Sequence, residues 1–414
     1  MSAMQLTPED RRVLDAITER GPEIISRAVG WCAVSSGSRN LPGLERQRDL
    51  LAGTLATLPG DVERLPLAPS IEIGADGRER EQPHPDALRL TLRPEAPVQI
   101  VMTGHYDTVY PDGTDFLAVR TRDDGALNGP GIADMKGGIS VMLAALEAVQ
   151  AHPAAARLGA RVLLSPDEEI GSLASAPRLA ETARGGHVGM TYEPAQGGAL
   201  ASARKGSGNF SVVVRGRSAH AGRDFASGRN AVAAAAAIAG RLHDLNGRRD
   251  GVTVNVAKIE GGSPSNVVPD LAVVRFNVRL PTPEDALWIE GAVASVLGVG
   301  DGLSAHLHGG FTRPPKPVNA AQEQLFGAAR ACAGLIGVDL RWTPSGGVCE
   351  GNNLFAAGLP NLDTLGVRGG DIHSEAEHAW PDSFVERAQL SALMLTKLAT
   401  GEVDGPAIRA AMAR

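Results

Sequence analysis

With 414 residues, 43% of them hydrophobic but only 4% aromatic, and with 50 glycines and 27 prolines, the chain exceeds one ordinary hydrophobic core and reads as a two-domain α/β protein. A formal net charge of -7 without any basic stripe excludes a nucleic-acid surface, because phosphates would be repelled. The scattered Cys32, Cys332 and Cys349 make no disulfide framework, and with neither a signal peptide nor a membrane-length apolar run in view, a cytoplasmic protein off the membrane is expected.

In chain order, Thr7-Pro8-Glu9-Asp10 reads as a helix start, with Val13, Ile17, Ile24, Ile25 and Val29 as the apolar stripe behind it. The Pro-, Gly- and charge-rich stretch 68–85 reads as a surface loop. Strands over 98–102, 161–165 and 187–192 then alternate with helices over 138–150 and 174–184. Ile139, Met142, Leu143 and Leu146 give the first of these helices one buried face. The alternation predicts a sheet flanked by helices. From Arg204 the character changes: strands over 210–215, 252–259, 271–280 and 304–308, with helices over 230–245 and 284–297, predict a small α+β sandwich. It occupies 204–313 and is inserted into a larger domain made of 1–203 and 314–414. After the rigid connector Arg313-Pro314-Pro315-Lys316-Pro317, a helix over 320–336 and a strand over 361–367 return to the first character.

The chemistry sits mostly where strands end. His105 and Asp107, two residues apart in Gly-His-Tyr-Asp-Thr-Val, share one face and can reach a common point, as in a metal site; such a pair alone is also a common surface hydrogen bond. Asp134 lies in the Gly-rich turn 128–138 and reads either as a helix N-cap or as a carboxylate presenting one oxygen to each of two cations. Asp167, Glu168 and Glu169 repel one another unless a cation or solvent intervenes, the alternative being a solvated helix start. Adjacent side chains diverge, so one glutamate can ligate while the other faces substrate as a base. Glu193 closes another strand, and His373 follows far downstream beyond a further one. In open α/β sheets ligands gather at the carboxyl ends of strands, which gives these positions a reason to converge. His306 and His308 alternate on a strand face without an acidic neighbour in sequence and read as solvent-exposed, while His84, His152, His187, His243 and His378 have no ligand-like surroundings. Cys349 reads as a buried structural thiol rather than a nucleophile.

Taken in order from about residue 95 to 380, these motifs resemble the co-catalytic zinc aminoacylase and carboxypeptidase family of glutamate carboxypeptidase, acetylornithine deacetylase and succinyl-diaminopimelate desuccinylase. Gly216-Arg217-Ser218-Ala219-His220-Ala221-Gly222 and Gly262-Ser263-Pro264-Ser265-Asn266 belong to the same match. Glu193 and the Asp167-Glu168-Glu169 context are most similar to the glutamate carboxypeptidase branch. The resemblance implies a zinc-exopeptidase-like domain with a central mixed sheet flanked by helices, plus an inserted α+β lid and dimerisation domain. It implies two zinc ions, with cobalt or manganese as alternatives: His105 and Glu193 on one, Glu169 and His373 on the other, Asp134 bridging. Asp107 would orient His105, and Glu168 would be the general base that takes a proton from the attacking water and passes it to the leaving amine. A cis peptide would follow Asp134, and His220 would reach the active site of the second subunit of a homodimer to stabilise the oxyanion. Asn266 and Arg279 would hold a substrate carboxylate, an outward-facing strand arginine being the rival reading of Arg279, and Arg313 is a weaker candidate for the same role. Ser345-Gly346-Gly347-Val348-Cys349-Glu350 departs from the Gly-Gly-Thr/Ser-Asp stretch of relatives, where the substrate pocket is lined. The expected activity is hydrolysis of an amide between an acyl or peptidyl group and an amino acid with a free carboxylate, with glutamate-carboxypeptidase-like release of a carboxyl-terminal acidic residue as the leading version. N-acyl amino acid deacylation is the alternative, and a non-catalytic metal- or ligand-binding homologue and a mononuclear enzyme are the rivals.

Overall fold

In the computed structural model, which describes residues 4–413, β-branched and leucine-rich runs assemble a six-stranded sheet. Its order is Asp61–Leu65, Ala87–Leu92, Leu158–Ser165, Val98–His105, Val188–Thr191 and Asn361–Leu362. The first two strands pair antiparallel, with each other and with the third, whereas from the third strand on all four are parallel. Every residue of Val98–His105 is buried, as befits a central parallel strand covered on both faces. Alternation sends Ile100 and Met102 to one face, against helices Lys136–Val149 and Asp382–Thr400, and Val101 to the other, against Ala176–Ala183 and Leu354. This is the central mixed sheet flanked by helices that the sequence leads one to expect.

A second sheet, four-stranded and antiparallel, is built between Gly206 and Arg313 in the order Thr253–Gly261, Leu271–Leu280, Gly206–Arg215, Ser304–Arg313. Val212, Val214, Val274 and Phe276 pack on one of its faces against Ile238 and Ile289 from helices Ala231–His243 and Pro283–Val296, a core separate from that of the larger sheet. The opposite face presents Asn209, Ser211, Arg275 and Asn277.

Several local expectations are corrected. The stretch 68–85 is not a loop throughout: Ser70–Ile73 and Glu79–Gln82 pair as a hairpin around Gly77, whose φ of +66° a glycine accepts without cost. The stripe behind Thr7 belongs to two helices, Pro8–Glu19 with a capping box between Thr7 and Asp10, and Gly21–Cys32 with proline in its first turn. The strand expected over 361–367 stops at Leu362, because Asp363 is drawn into a buried ion pair and Thr364 turns at φ +60°. The last strand of the four-stranded sheet runs on to Arg313, so the connector begins at Pro314. Among the described residues no helix is long and apolar enough to cross a membrane.

Candidate metal centre

Parallel strands deliver their carboxyl ends to one edge, and the acidic groups ride on them. His105 ends its strand, pairs in register with Ser165, and so stands beside the turn carrying Glu168 and Glu169; Glu193 follows Val188–Thr191 on the other side. Asp134 comes from the loop before helix Lys136–Val149. A Cβ on Gly138 would lie 2.0 Å from the Tyr192 carbonyl oxygen, so glycine is what lets that helix dock on the strand that delivers Glu193. The N-cap reading of Asp134 does not hold. Met135 occupies that position, and the Asp134 side chain turns away to two imidazoles. The Asp134-Met135 peptide is cis, as the resemblance implies.

Two groups of potential ligands share Asp134: His105, Asp134 and Glu193, and Asp134, Glu169 and His373, each with its donor atoms within 4.8 Å of one another. Asp134 Oδ1 lies 3.1 Å from His105 Nε2, and Oδ2 lies 3.3 Å from His373 Nε2. Glu193 Oε1 is 3.8 Å from His105 Nε2, and Glu169 Oε2 is 3.2 Å from His373 Nε2. The first triad is buried, whereas His373 is 52% exposed at the mouth.

Electrostatically the cluster is crowded with negative charge. Burial pushes Glu193 up to about 7, and burial together with Asp134 raises Glu169. Burial works against the charged ring of His105, but the facing carboxylates Asp107, Asp134 and Glu193 outweigh it and raise it well above the usual imidazole value. Hydrogen bonds to Asp134 and Glu169 lift His373 to about 10. Asp134 itself is held below the usual carboxylate range: burial opposes, and its two imidazole partners prevail. Glu193 Oε1 is buried and accepts no hydrogen bond. An orphaned carboxylate oxygen beside two further carboxylates and two imidazoles is the environment that a pair of divalent cations with N/O preference fits.

Around this floor the other candidates take distinct places. Asp107, fully buried, lies 3.2 Å from His105 Nδ1 and accepts the backbone N–H groups of Glu168 and Glu169 at 3.1 Å each, with Ser38 Oγ donating at 2.7 Å. It therefore fixes the histidine and the acidic turn together. Asp167 does not belong to the charged cluster; it accepts the N–H groups of Ala174 and Ser175. Glu168 borders a cavity of about 600 Å³ and is ion-paired with Arg313 at 2.6 Å. Arg313, only 1% exposed, also donates to Asn353 Oδ1 at 2.6 Å, so the candidate substrate ligand is here engaged with the candidate base. Arg279 lines the same cavity, donates through Nε to Asn277 at 3.0 Å, and keeps a buried Nη1 without a partner.

His220 and Asn266 are elsewhere. Both are exposed, His220 on the short ladder formed by Ala219–His220 and Val267–Val268 and Asn266 in the turn just before that second strand, and neither lines the cavity. The departing segment does line it, through Ser345, Gly346, Gly347 and Val348, while Cys349 and Glu350 turn inward. Cys349 donates to Asp363 at 3.2 Å and caps helix Glu350–Ala356; burial pushes its thiol far up, which makes it inert. His306 is exposed, but His308 is half-buried with an acidic partner after all, Glu79 of the hairpin at 3.5 Å. Sequence reasoning missed Glu377, whose buried carboxylate grips the Asp134 loop, and Tyr110 beside it. It also missed Arg204, which lines the cavity while ion-paired with the fully buried Asp363.

Comparisons with known proteins bear on the family and the fold. The model described as peptidase family M20/M25/M40 matches residues 101–397. Carboxypeptidase G2 of Pseudomonas sp. (strain RS-16) is 24% identical over 405 residues, covering 95% of this chain and 93% of that protein. Succinyl-diaminopimelate desuccinylase of Acinetobacter baylyi is 30% identical over 300 residues, covering 66% of this chain and 77% of that one. Among solved structures, a tripeptidase from Staphylococcus aureus superposes with a TM-score of 0.71 at 21% identity, over 92% of this chain and 99% of that chain.

Proposed function

Because the chain belongs to peptidase family M20/M25/M40, and is thus of the metallopeptidase and amidohydrolase type, we propose that it uses two zinc ions to hydrolyse an amide between an acyl or peptidyl group and an amino acid with a free carboxylate. The observation that carries this reading is the shared Asp134, whose two oxygens face separate ligand groups on the floor of a cavity that also holds an unpaired guanidinium. His105 and Glu193 would hold one ion, Glu169 and His373 the other, and Asp134 both. Bound there, the ions would supply a polarised carbonyl and a more acidic water.

The chain's own groups divide the remaining work. Glu168 takes the proton from the attacking water and returns it to the leaving nitrogen, within the cavity it borders. Asp107 keeps His105 in the tautomer that offers Nε2 to the ion, because its own carboxylate and carbonyl both face Nδ1. Arg279 offers its free Nη1 to the substrate carboxylate. His220 and Asn266, exposed and remote from their own cavity, would serve that of a second copy in a homodimer. Three free cysteines, all buried, suit a reducing compartment, and a cytoplasmic location is part of the proposal.

Release of a carboxyl-terminal residue is the leading version, supported by the match to carboxypeptidase G2 across nearly the whole chain. Deacylation of an N-acyl amino acid is the second reading, supported by the higher identity to the desuccinylase over a shorter span. A hydrolysis screen over dipeptides and N-acyl amino acids with added Zn2+ distinguishes the two. Glu168→Gln is expected to lower kcat by about 10³-fold or more while binding metal as before. Full activity in that variant removes Glu168 from the base role, and no hydrolysis of either substrate class by the wild-type chain sinks the reading.

A further inference from the structure

Glu377 is 1% exposed, and four donors converge on its carboxylate. Oε1 accepts the backbone N–H groups of Ala133 at 2.9 Å and Asp134 at 3.0 Å; Oε2 accepts Gly131 N–H at 2.9 Å and the Tyr110 hydroxyl at 2.6 Å. The backbone of Glu377 joins the same loop, its carbonyl accepting from Gly129 at 3.2 Å and from Asn128 Nδ2 at 2.8 Å. On the other side Glu377 N–H donates to the Ser374 carbonyl at 3.0 Å, and the Tyr110 hydroxyl lies 2.7 Å from that same oxygen. Ser374 immediately follows His373. One buried side chain thus connects the loop that carries Asp134 to the loop that carries His373.

We propose that Glu377, with Tyr110, is the positioning residue that sets the shared carboxylate of Asp134 between its two imidazole neighbours and so makes the second ion site. The inference rests on the two-ion reading given above. Asp134 must face His105 with one oxygen and His373 with the other at once, and the N–H of Asp134 itself is one of the groups held. A small displacement of this backbone would give one imidazole both oxygens and leave the other group of ligands short of a donor. The chemistry of the clamp requires an acceptor-only group: a carboxylate matches four donors with four lone pairs, whereas an amide would turn a donating NH₂ toward donors already there. Neither residue lines the cavity, so the pair acts on substrate only through Asp134 and His373.

Manganese titration of the metal-free wild-type chain, followed by calorimetry and by electron paramagnetic resonance, tests this. The wild type is expected to take up two Mn2+ per chain with an exchange-coupled spectrum. Glu377→Gln should weaken the second ion by about 10- to 100-fold and replace the coupled spectrum by that of an isolated ion. Tyr110→Phe, which keeps the carboxylate and its three backbone bonds, should weaken it by about 3- to 10-fold, and it carries the test should Glu377→Gln fail to fold. In both variants kcat should fall while KM stays, a split that general loosening of the fold would not give. A wild-type chain that binds one Mn2+ overturns the two-ion reading, and the clamp with it. A coupled pair in the wild type that persists with unchanged affinity in the folded variants overturns the clamp alone.

Discussion

The edge of the six-stranded sheet and the ladder at the end of the four-stranded sheet treat functional side chains in opposite ways. At the first, His105, Asp134, Glu169, Glu193 and His373 come together from one chain, mostly buried and held by further polar groups. At the second, His220 and Asn266 stand in solvent with nothing of their own chain in front of them. Burying charge is costly unless it is compensated, so a buried anionic cluster is informative by itself about what it holds. An exposed histidine costs nothing and becomes informative only through what it can reach. The candidate metal ligands therefore all come from a single copy, whereas the proposed oxyanion contact would need a second.

The largest effect expected from this contrast is on cooperation between copies. His220→Ala should lower kcat by about 10²- to 10³-fold, as expected for removal of an oxyanion donor. Refolding it together with Glu168→Gln should restore activity. In a mixed dimer the His220→Ala chain keeps its own Glu168 and borrows His220 from its neighbour, so one site of the two is intact. Random mixing makes half the dimers mixed, and about a quarter of wild-type activity is expected. If His220 served its own chain, the mixture would stay as inactive as its parts, and that result would break the contrast.

Next in size is Arg279, which lies on the four-stranded sheet yet faces the cavity of its own chain. Arg279→Ala should raise KM by about 10- to 100-fold for substrates with a free carboxylate, the scale of a charge-assisted hydrogen bond. For the same substrates amidated at that carboxylate the variant and the wild type should differ little. Equal losses on both kinds of substrate would assign Arg279 to the fold of the sheet.

The same contrast explains what could be read from sequence. Asp134, Glu169 and Glu193 were legible because acidic residues behind apolar strands and Gly-rich turns are locally anomalous, and parallel order then fixes the edge on which they meet. Glu377 was not, since it sits in a run with Glu375 and Asp371 that reads as a solvated face, and only the tertiary approach of the Asp134 loop buries it. Arg313 was legible as a cavity residue but not as the partner of Glu168, because a pair separated by 145 positions leaves no local trace. The hairpin at Ser70–Ile73 and Glu79–Gln82 escaped notice for another reason: the alternation of Ser70–Ile73 spans only four residues, and Glu79–Gln82 is wholly polar.

The smallest effect is one of pH, and it belongs to the metal floor, where buried carboxylates and imidazoles shift one another. Glu193 stands at about 7 through burial and His373 at about 10 through its carboxylate partners, both above their unfolded values. The folded, ion-free chain thus holds protons that the unfolded chain gives up, and stability falls as pH rises through the folded values. Between pH 5 and 8 Glu193 ionises in the folded chain beside Asp134 and Glu169, while His373 keeps there a proton that the unfolded chain gives up. Bound cations favour the ionised ligands, so their stabilisation grows over the same range. The gap in Tm between zinc-loaded and zinc-free protein should widen by about 1–2 °C from pH 5 to pH 8, on the order expected for 1–2 kcal/mol in a chain of this size. Glu350, buried and raised to about 8, adds a slope common to both forms and so cancels from the gap. In Glu193→Gln the zinc-free slope should flatten. Parallel melting curves for the two forms of the wild type would mean that cations do not relieve the crowding of carboxylates at the floor.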